Sequence, residues 1–418
     1  MKHHKLCWQP WFHLATLPSG DVKLCCIAKN DSKLNLNTIP LDQAWNSDYY
    51  KQARLDMLEG KPVNACEVCW KEEDLGIESH RIIMNREIEK RISEQDIKNV
   101  LALTDSTGNF TMTPPTLDIR LGNTCNLECV MCKPSDSSKW VSRAKHLANT
   151  LETKVKYTWI YHSNIDTTQF EWYKGEKFWK DFEKVAPELR HMTFGGGEPL
   201  YVKEHKNIIK YLVDTGHASH IELHYHTNGT IYDQEVVDIW SNFKSVKVML
   251  SIDGYKEVNN YIRRPSKWQT LEDNLRKYDL TPANISVAIN TTVQMLNVFD
   301  LPVFAQWLLD QKFTKIGQHD GGIFFSSLLH YPDYLTVQVL PEEAKADATA
   351  RIRRLIDKYP TNKGVLRMQS VIDYMNSSDQ SELLELTVDF LEKYNNKDTD
   401  KFSIAELDKY IYSTQGYN

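Results

Sequence analysis

Apolar positions along the chain change rhythm near Thr116. Upstream, Trp11 to Leu17 and Val22 to Cys26 are two short alternating runs flanking Pro18, Ser19, Gly20 and Asp21, which predicts a hairpin. Leu41, Trp45, Tyr49, Leu55 and Leu58 recur at helical spacing, predicting a helix over 41–59 that Gly60 and Pro62 end. A charged helix is expected over 87–103, and 104–115, with Pro114 and Pro115, reads as a linker. Downstream, strand-like runs at Leu117 to Leu121, His191 to Phe194, His220 to His226, Val246 to Ile252 and Ile285 to Val293 alternate with helical patterns such as 176–185 and 207–213. That alternation predicts βα units with parallel strands. Ile352, Leu355 and Ile356, then Leu383, Leu384, Leu386, Val388 and Leu391, mark a helical packing tail. The expected divisions are 1–86, a small cysteine-bearing module; 87–115, helix and linker; 116–345, the α/β core; and 346–418, the helical C-terminal region.

Composition narrows the function classes. At 418 residues the chain has room for two or three domains, and its 41% apolar and 25% charged content excludes disordered, collagenous and repetitive classes. Fifty basic against 56 acidic residues leave a net charge of -6, a field that repels phosphate backbones and makes nucleic acid an unlikely partner. No run of 18 apolar residues and no signal-like start is present, so no membrane partner is expected and the expected location is cytoplasmic. All eight cysteines lie within the first 132 residues, a clustering that core packing does not explain and metal or redox chemistry does.

Cys125, Cys129 and Cys132 follow directly on the first strand of the βα series, so one loop can wrap one metal centre. A [4Fe-4S] cluster takes four ligands, and no cysteine follows downstream to supply the fourth. One iron would keep an open position for a substrate or cofactor, by the logic that separates catalytic from structural zinc. A zinc knuckle completed by a histidine such as His146, or three unligated thiols, are the alternatives that spacing leaves open.

This CxxxCxxC loop resembles the signature of radical SAM enzymes, and the resemblance runs over roughly 116–300. It implies that the three cysteines bind three irons of a [4Fe-4S] cluster and that S-adenosylmethionine (SAM) chelates the fourth. Gly195, Gly196, Gly197, Glu198 and Pro199 resemble the family's GGEP motif, implying that Gly196, Gly197 and Glu198 contact the methionine amino group. Thr227 and Asn228 in His226 to Thr230 resemble its ribose-side TNGT. Ser251 and Asp253 end the next strand; Arg263 resembles the arginine that reaches the SAM carboxylate, and Asn297 the loop near the adenine. Taken singly, each has a plainer reading: Asn228 in a turn, Ser251 or Asp253 as a helix cap, Arg263 as a solvated charge. Met131 stands where the family often has an aromatic residue, a change of packing rather than of ligand. The implied fold is α/β, a partial (β/α)6 barrel of radical SAM type with a small N-terminal cysteine-rich α+β module and a helical C-terminal tail.

Cys7, Cys25 or Cys26, Cys66 and Cys69 can supply four more thiolates, enough for one auxiliary centre. Strand alternation sends neighbouring side chains to opposite faces, so only one of Cys25 and Cys26 should ligate. The surrounding text resembles the SPASM and twitch modules that hold an auxiliary [4Fe-4S] cluster, which usually follow the core and here precede it. A structural zinc ribbon is the alternative. The resemblance implies that an electron donor such as flavodoxin or ferredoxin reduces the core cluster, that SAM is cleaved reductively, and that a deoxyadenosyl radical abstracts hydrogen from a peptide or protein side chain. A small metabolite (sugar or nucleotide) is the runner-up substrate; a non-catalytic zinc scaffold is the reading from another class. Tyr157, Trp159, Tyr161, Phe170, Trp172 and Tyr173 are dense enough to line a substrate lid, whereas Phe178, Trp179 and Phe182 have core spacing.

Overall fold

The computed structural model describes residues 5–74, 78–90, 94–150, 167–317 and 322–395. No helix among them is long and apolar enough to cross a membrane. Eight strands form a mostly parallel sheet, and the chain divides into two compact units. The first comprises Met1–Asn123, Asp166–His224 and Asn242–Ser245; the second, Thr124–Ile165, Tyr225–Ser241 and Val246–Asn418.

In the first unit, β1 (His13–Thr16) and β2 (Val22–Lys23) make the expected hairpin. Gly20 turns it at φ +85°, a conformation that favours glycine. What the pattern did not foretell is that β1 also pairs in parallel with β3 (Thr116–Arg120), which in turn pairs with β4 (His191–Gly195). Leu14 and Leu117 sit opposite one another and both are buried. The helix Glu176–Val185 buries Phe178, Phe182 and Val185 on one face, with the Phe178 and Phe182 rings stacked 5.8 Å apart. Trp172 and Tyr173 are buried core residues, and Trp172 packs tightly against Gly20 and donates its Nε1–H to the Pro18 carbonyl (3.1 Å). The expected lid residues Tyr157, Trp159 and Tyr161 lie outside the described residues.

The strand β5 (Glu222–Thr227) carries the chain into the second unit, where β6 (Ser245–Ser251), β7 (Ile285–Val293) and β8 (Phe325–Leu328) are parallel neighbours. Val248, Leu250, Val287 and Ile289 are all buried, as a sheet covered on both faces requires. The α/β class is borne out, with β3 to β8 as the six strands of the barrel series. β8 escaped the sequence reading because its run, Phe-Ser-Ser-Leu, is short and half polar; pairing with β7, including Ser327 Oγ to Asn290 Oδ1 at 2.8 Å, makes it a strand. The helix expected over 41–59 is two, Leu41–Trp45 and Asp48–Leu58, because the Ser47 hydroxyl accepts from the Tyr50 N–H and starts a new one. The charged stretch likewise forms His80–Glu89 and Glu94–Ala102. In the C-terminal region Glu342–Lys358 and Leu384–Asn395 are helical, burying Ile352 and Leu355, then Val388, Phe390 and Tyr394.

One cation holds the N-terminal module together. Arg54 is fully buried; its Nε donates to the Pro10 carbonyl and its Nη2 to the Trp45 carbonyl, both at 2.9 Å. Its Nη1 donates to Asn46 Oδ1 at 2.9 Å and the Gly108 carbonyl at 3.2 Å, and the guanidinium lies 4.6 Å from the Trp45 ring centre. Burial lowers its pKa to about 10, so it remains charged at neutral pH. Arg54→Leu would strand those acceptors in an apolar interior and should lower the unfolding free energy by about 3 kcal/mol or more; equilibrium denaturation in urea measures it.

Candidate functional site

The loop bearing Cys125, Cys129 and Cys132 lies in the second unit and is fastened from several sides. The Val130 N–H donates to the Ile262 carbonyl (2.8 Å) and the Glu128 N–H to the Arg264 carbonyl (2.6 Å). The Ser137 hydroxyl donates to the Leu127 carbonyl (2.5 Å), and Trp140 Nε1 to the Cys129 carbonyl (2.7 Å). Leu127 is buried between Cys125 and Cys129, against which Met131 and Cys132 also pack. Backbone polar groups held this way leave the loop little freedom, so the three thiols are presented by a preformed turn.

Arg263 ties the loop to the strand ends. Its Nη1 is 4.0 Å from the Cys129 sulfur, and its Nε is 2.7 Å from Asp253 Oδ2, angled off hydrogen-bond alignment. Asp253 is wholly buried: its Oδ1 accepts from the Thr292 N–H (2.8 Å), and its own N–H donates to Asn259 Oδ1 (2.9 Å). Burial raises the Asp253 carboxyl, a shift that Arg263 opposes; the Arg263 pKa is itself raised, since Asp253 outweighs the cost of burying the cation. Burial pushes the Cys129 thiol up to about 12, opposed by Arg263, and the Cys132 thiol well above its usual range. Metal binding by these thiols would have to expel their protons, which a cationic neighbour assists.

The other expected cofactor residues of this unit have definite positions. Thr227 ends β5, and its hydroxyl accepts from the Gly229 N–H (3.4 Å). Asn228 donates to Asn126 Oδ1 (2.8 Å) and accepts from the Thr230 N–H (3.0 Å), linking the turn to the cysteine loop. Ser251 ends β6, partly exposed. Asn297 is buried with its amide donating to the carbonyls of Asp253 (2.7 Å) and Thr292 (2.9 Å), and its oxygen accepts from the Gln294 N–H (2.8 Å). Two residues went unnoticed in the sequence. Asn126 lies inside the cysteine motif, where only thiols drew notice. Gln294 is buried with Nε2 3.8 Å from the Met131 sulfur and Oε1 lacking a protein partner; a polar atom so placed fits a pocket for a polar ligand.

In the first unit, the turn after β4 has Gly196 at φ +72° and Gly197 at φ +51°. A Cβ at Gly196 would fall 2.6 Å from the Arg120 Cβ, so glycine is required there. Glu198 is fully buried and its carboxylate accepts from the Leu200 N–H (3.1 Å), capping a short turn.

The same unit gathers the N-terminal cysteines. Cys7, Cys25, Cys66 and Cys69 line one small cavity with His80 and Arg81. Cys7 precedes the helical turn Gln9–Phe12, Cys25 follows β2, and Cys66 and Cys69 sit at the start of the helix Glu67–Asp74. Cys26 is exposed and outside that lining; its sulfur is 3.7 Å from His80 Nε2. Among the described residues, no three His, Cys, Asp or Glu side chains converge as a single metal ion requires; the thiols are distributed around the cavity wall. Burial pushes the Cys7 and Cys25 thiols up to about 12 and also raises Cys66 and Cys69. Four thiols around a cavity form the donor set of a [4Fe-4S] cluster.

Comparison with known proteins agrees with this chemistry. Residues 119–293 match the model of the radical SAM superfamily, and residues 7–70 match SPASM, an iron-sulfur cluster-binding domain. No curated protein matches the chain in sequence. Among solved structures, Streptococcus suis SuiB is similar at 13% identity and a TM-score of 0.33, over 64% of this chain and 53% of that one. The structure of anSMEcpe with bound AdoMet and a Cp18Cys peptide is similar at 16% identity and a TM-score of 0.34, over 63% of this chain and 62% of the other. The chain thus spans less than two thirds of either. The two family matches fall on the residues that carry the two groups of thiols: a radical SAM domain over 119–293 and, ahead of it, a SPASM iron-sulfur cluster-binding domain over 7–70.

Proposed function

We propose that this enzyme abstracts hydrogen from a peptide or protein side chain, with Cys125, Cys129 and Cys132 holding the core [4Fe-4S] cluster and Cys7, Cys25, Cys66 and Cys69 an auxiliary one. The observation that carries the reading is the presence of two separate thiol groups: three in a pinned loop and four around one cavity. When bound, the cluster and SAM supply one-electron reductive cleavage of a carbon–sulfur bond, the source of an oxidant able to take hydrogen from an unactivated C–H bond. The chain's own residues hold and neutralise. Arg263 offers a cation beside Cys129 that can also meet a carboxylate, and Asp253 fixes its direction. Asn126, Asn228 and Thr230 brace the loop, while Gln294 leaves a free acceptor beside Met131. The SPASM match and the resemblance to peptide-maturing members support a peptide substrate, and a flavodoxin- or ferredoxin-type donor would supply the electron.

The activity is tested by incubating anaerobically reconstituted protein with SAM, dithionite and peptide libraries carrying deuterated side chains. Deuterium in the released 5′-deoxyadenosine is expected; absence of 5′-deoxyadenosine would remove the reading, and deuterium transfer only from sugars or nucleotides would replace the substrate class. Iron content tests the two centres: about eight irons per chain are expected, and about four after Cys125→Ala/Cys129→Ala/Cys132→Ala. Four irons with stoichiometric zinc would assign the N-terminal site to zinc.

The ion pair gives a third test. In protein that retains its core cluster, Arg263→Met should weaken SAM binding at least about tenfold, and it should destabilise folding by about 3 kcal/mol because Asp253 is left buried and alone. Adding Asp253→Asn should recover much of the stability and none of the affinity, as read by denaturation and by equilibrium binding of SAM.

A further inference from the structure

The N-terminal cavity has a cation built into its wall. Arg81 lines it beside the four thiols, and its side chain is only 11% exposed. It is held rigidly: Nε lies 2.8 Å from Glu73 Oε1, Nη2 lies 2.5 Å from Glu73 Oε2, and Nη1 donates to the Leu6 carbonyl at 2.7 Å, next to Cys7. The Trp70 ring, next to Cys69, packs 5.2 Å from the guanidinium carbon. Arg81 belongs to the first turn of the ten-residue helix His80–Glu89, whose N-cap is Ser79. The Ser79 hydroxyl donates to Glu73 Oε1 (2.5 Å), so the carboxylate that holds Arg81 is itself fixed from the helix cap. The first turn of a helix and a guanidinium thus stand at the wall of the cavity that the thiols line, with Glu73 bound to both Arg81 and Ser79.

This goes further than a site needs if its task is only to hold metal, since thiolates alone bind iron. Hydrogen bonds and nearby charge decide how readily a cluster accepts an electron: a cation favours the reduced, more negative form and raises the midpoint potential, and an anion lowers it. We propose that Arg81, fixed by Glu73, sets the reduction potential of the auxiliary cluster, keeping it high enough to accept an electron from the product radical instead of serving as a passive structural centre. The inference rests on the reading of Cys7, Cys25, Cys66 and Cys69 as cluster ligands. The step moves one electron: the cluster is reduced, and the substrate-derived radical is oxidised to a closed-shell product as it releases a proton. Its electron would come from the substrate-derived radical in turnover and comes from dithionite in the test.

The test uses the full chain carrying Cys125→Ala/Cys129→Ala/Cys132→Ala, so that only the N-terminal centre contributes, with iron counts and a redox titration followed by electron paramagnetic resonance. Arg81→Met should keep the iron and lower the midpoint potential; Arg81→Lys, which retains the charge but not the fork, should fall between. Glu73→Gln removes the opposing charge and should shift the potential upward. An unchanged potential in an iron-loaded Arg81→Met protein would overturn the proposal. If Arg81→Met loses its iron, Glu73→Gln decides: an upward shift supports the assignment and no shift overturns it. Zinc in place of iron in the Arg81-containing parent would reject the cluster reading and with it this one.

Discussion

Arg263 serves two buried groups of the second unit that resist ionisation. Asp253 is sealed from water and its carboxyl is raised by that burial; Cys129 is nearly sealed and its thiol is raised likewise. Without a cation, neither negative charge is tolerable in so dry a setting. The guanidinium lowers the cost of both, and the rest of the unit is arranged so that it stays there. Asn259 holds the Asp253 backbone, Thr292 at the end of β7 holds its carboxylate, and Asn297 ties β7 back to the Asp253 carbonyl. The strand ends thus act through backbone hydrogen bonds to fix a charge whose effect is felt at sulfur.

The C-terminal helix contributes to the same loop from another side. The Tyr394 hydroxyl donates to the Glu128 carbonyl (2.8 Å), and the fully buried Arg143 reaches both the Glu128 carboxylate and the Tyr394 carbonyl. The Arg264 guanidinium lies 5.4 Å from the Tyr394 ring centre, and Trp140, whose indole holds Cys129, packs 5.7 Å from the same ring. What reads as a packing tail is one wall of the cysteine loop's housing, and Tyr394 is the residue through which distance in sequence becomes proximity at the motif.

How much of this was legible follows from what kind of signal each feature leaves. The five strands from Leu117 to Val293 showed because buried β-branched runs between helical stretches are a local pattern, as Val287 and Ile289 illustrate. β8 did not, since Ser326 and Ser327 become strand residues only by pairing with β7. The cysteine loop stood out through spacing, but Asn126 and Gln294 carry no motif; their roles come from partners about 100 and 163 residues away. Strand alternation is the expected reason for Cys25 and Cys26 to face apart, but β2 ends at Lys23 and both cysteines lie in the turn beyond it, where Cys25 faces inward and Cys26 is exposed. That is decided by where Cys7, Cys66 and Cys69 come to rest, a matter of tertiary packing.

The pairing of β1 with β3 has a consequence for how the chain comes to be folded. The Thr16 hydroxyl reaches the Asp118 carbonyl across 102 positions of sequence, and the Arg120 N–H returns a hydrogen bond to the same hydroxyl. During synthesis the β1–β2 hairpin emerges early with one edge waiting, and its neighbour does not exist until residues 116–120 leave the ribosome. For that interval a short apolar edge stands open, which favours slow, non-local folding and exposes the nascent chain to unwanted strand addition. Cys25, Cys66 and Cys69 are made in the same interval, so the thiols of the module are all in place before β3 can close the sheet edge.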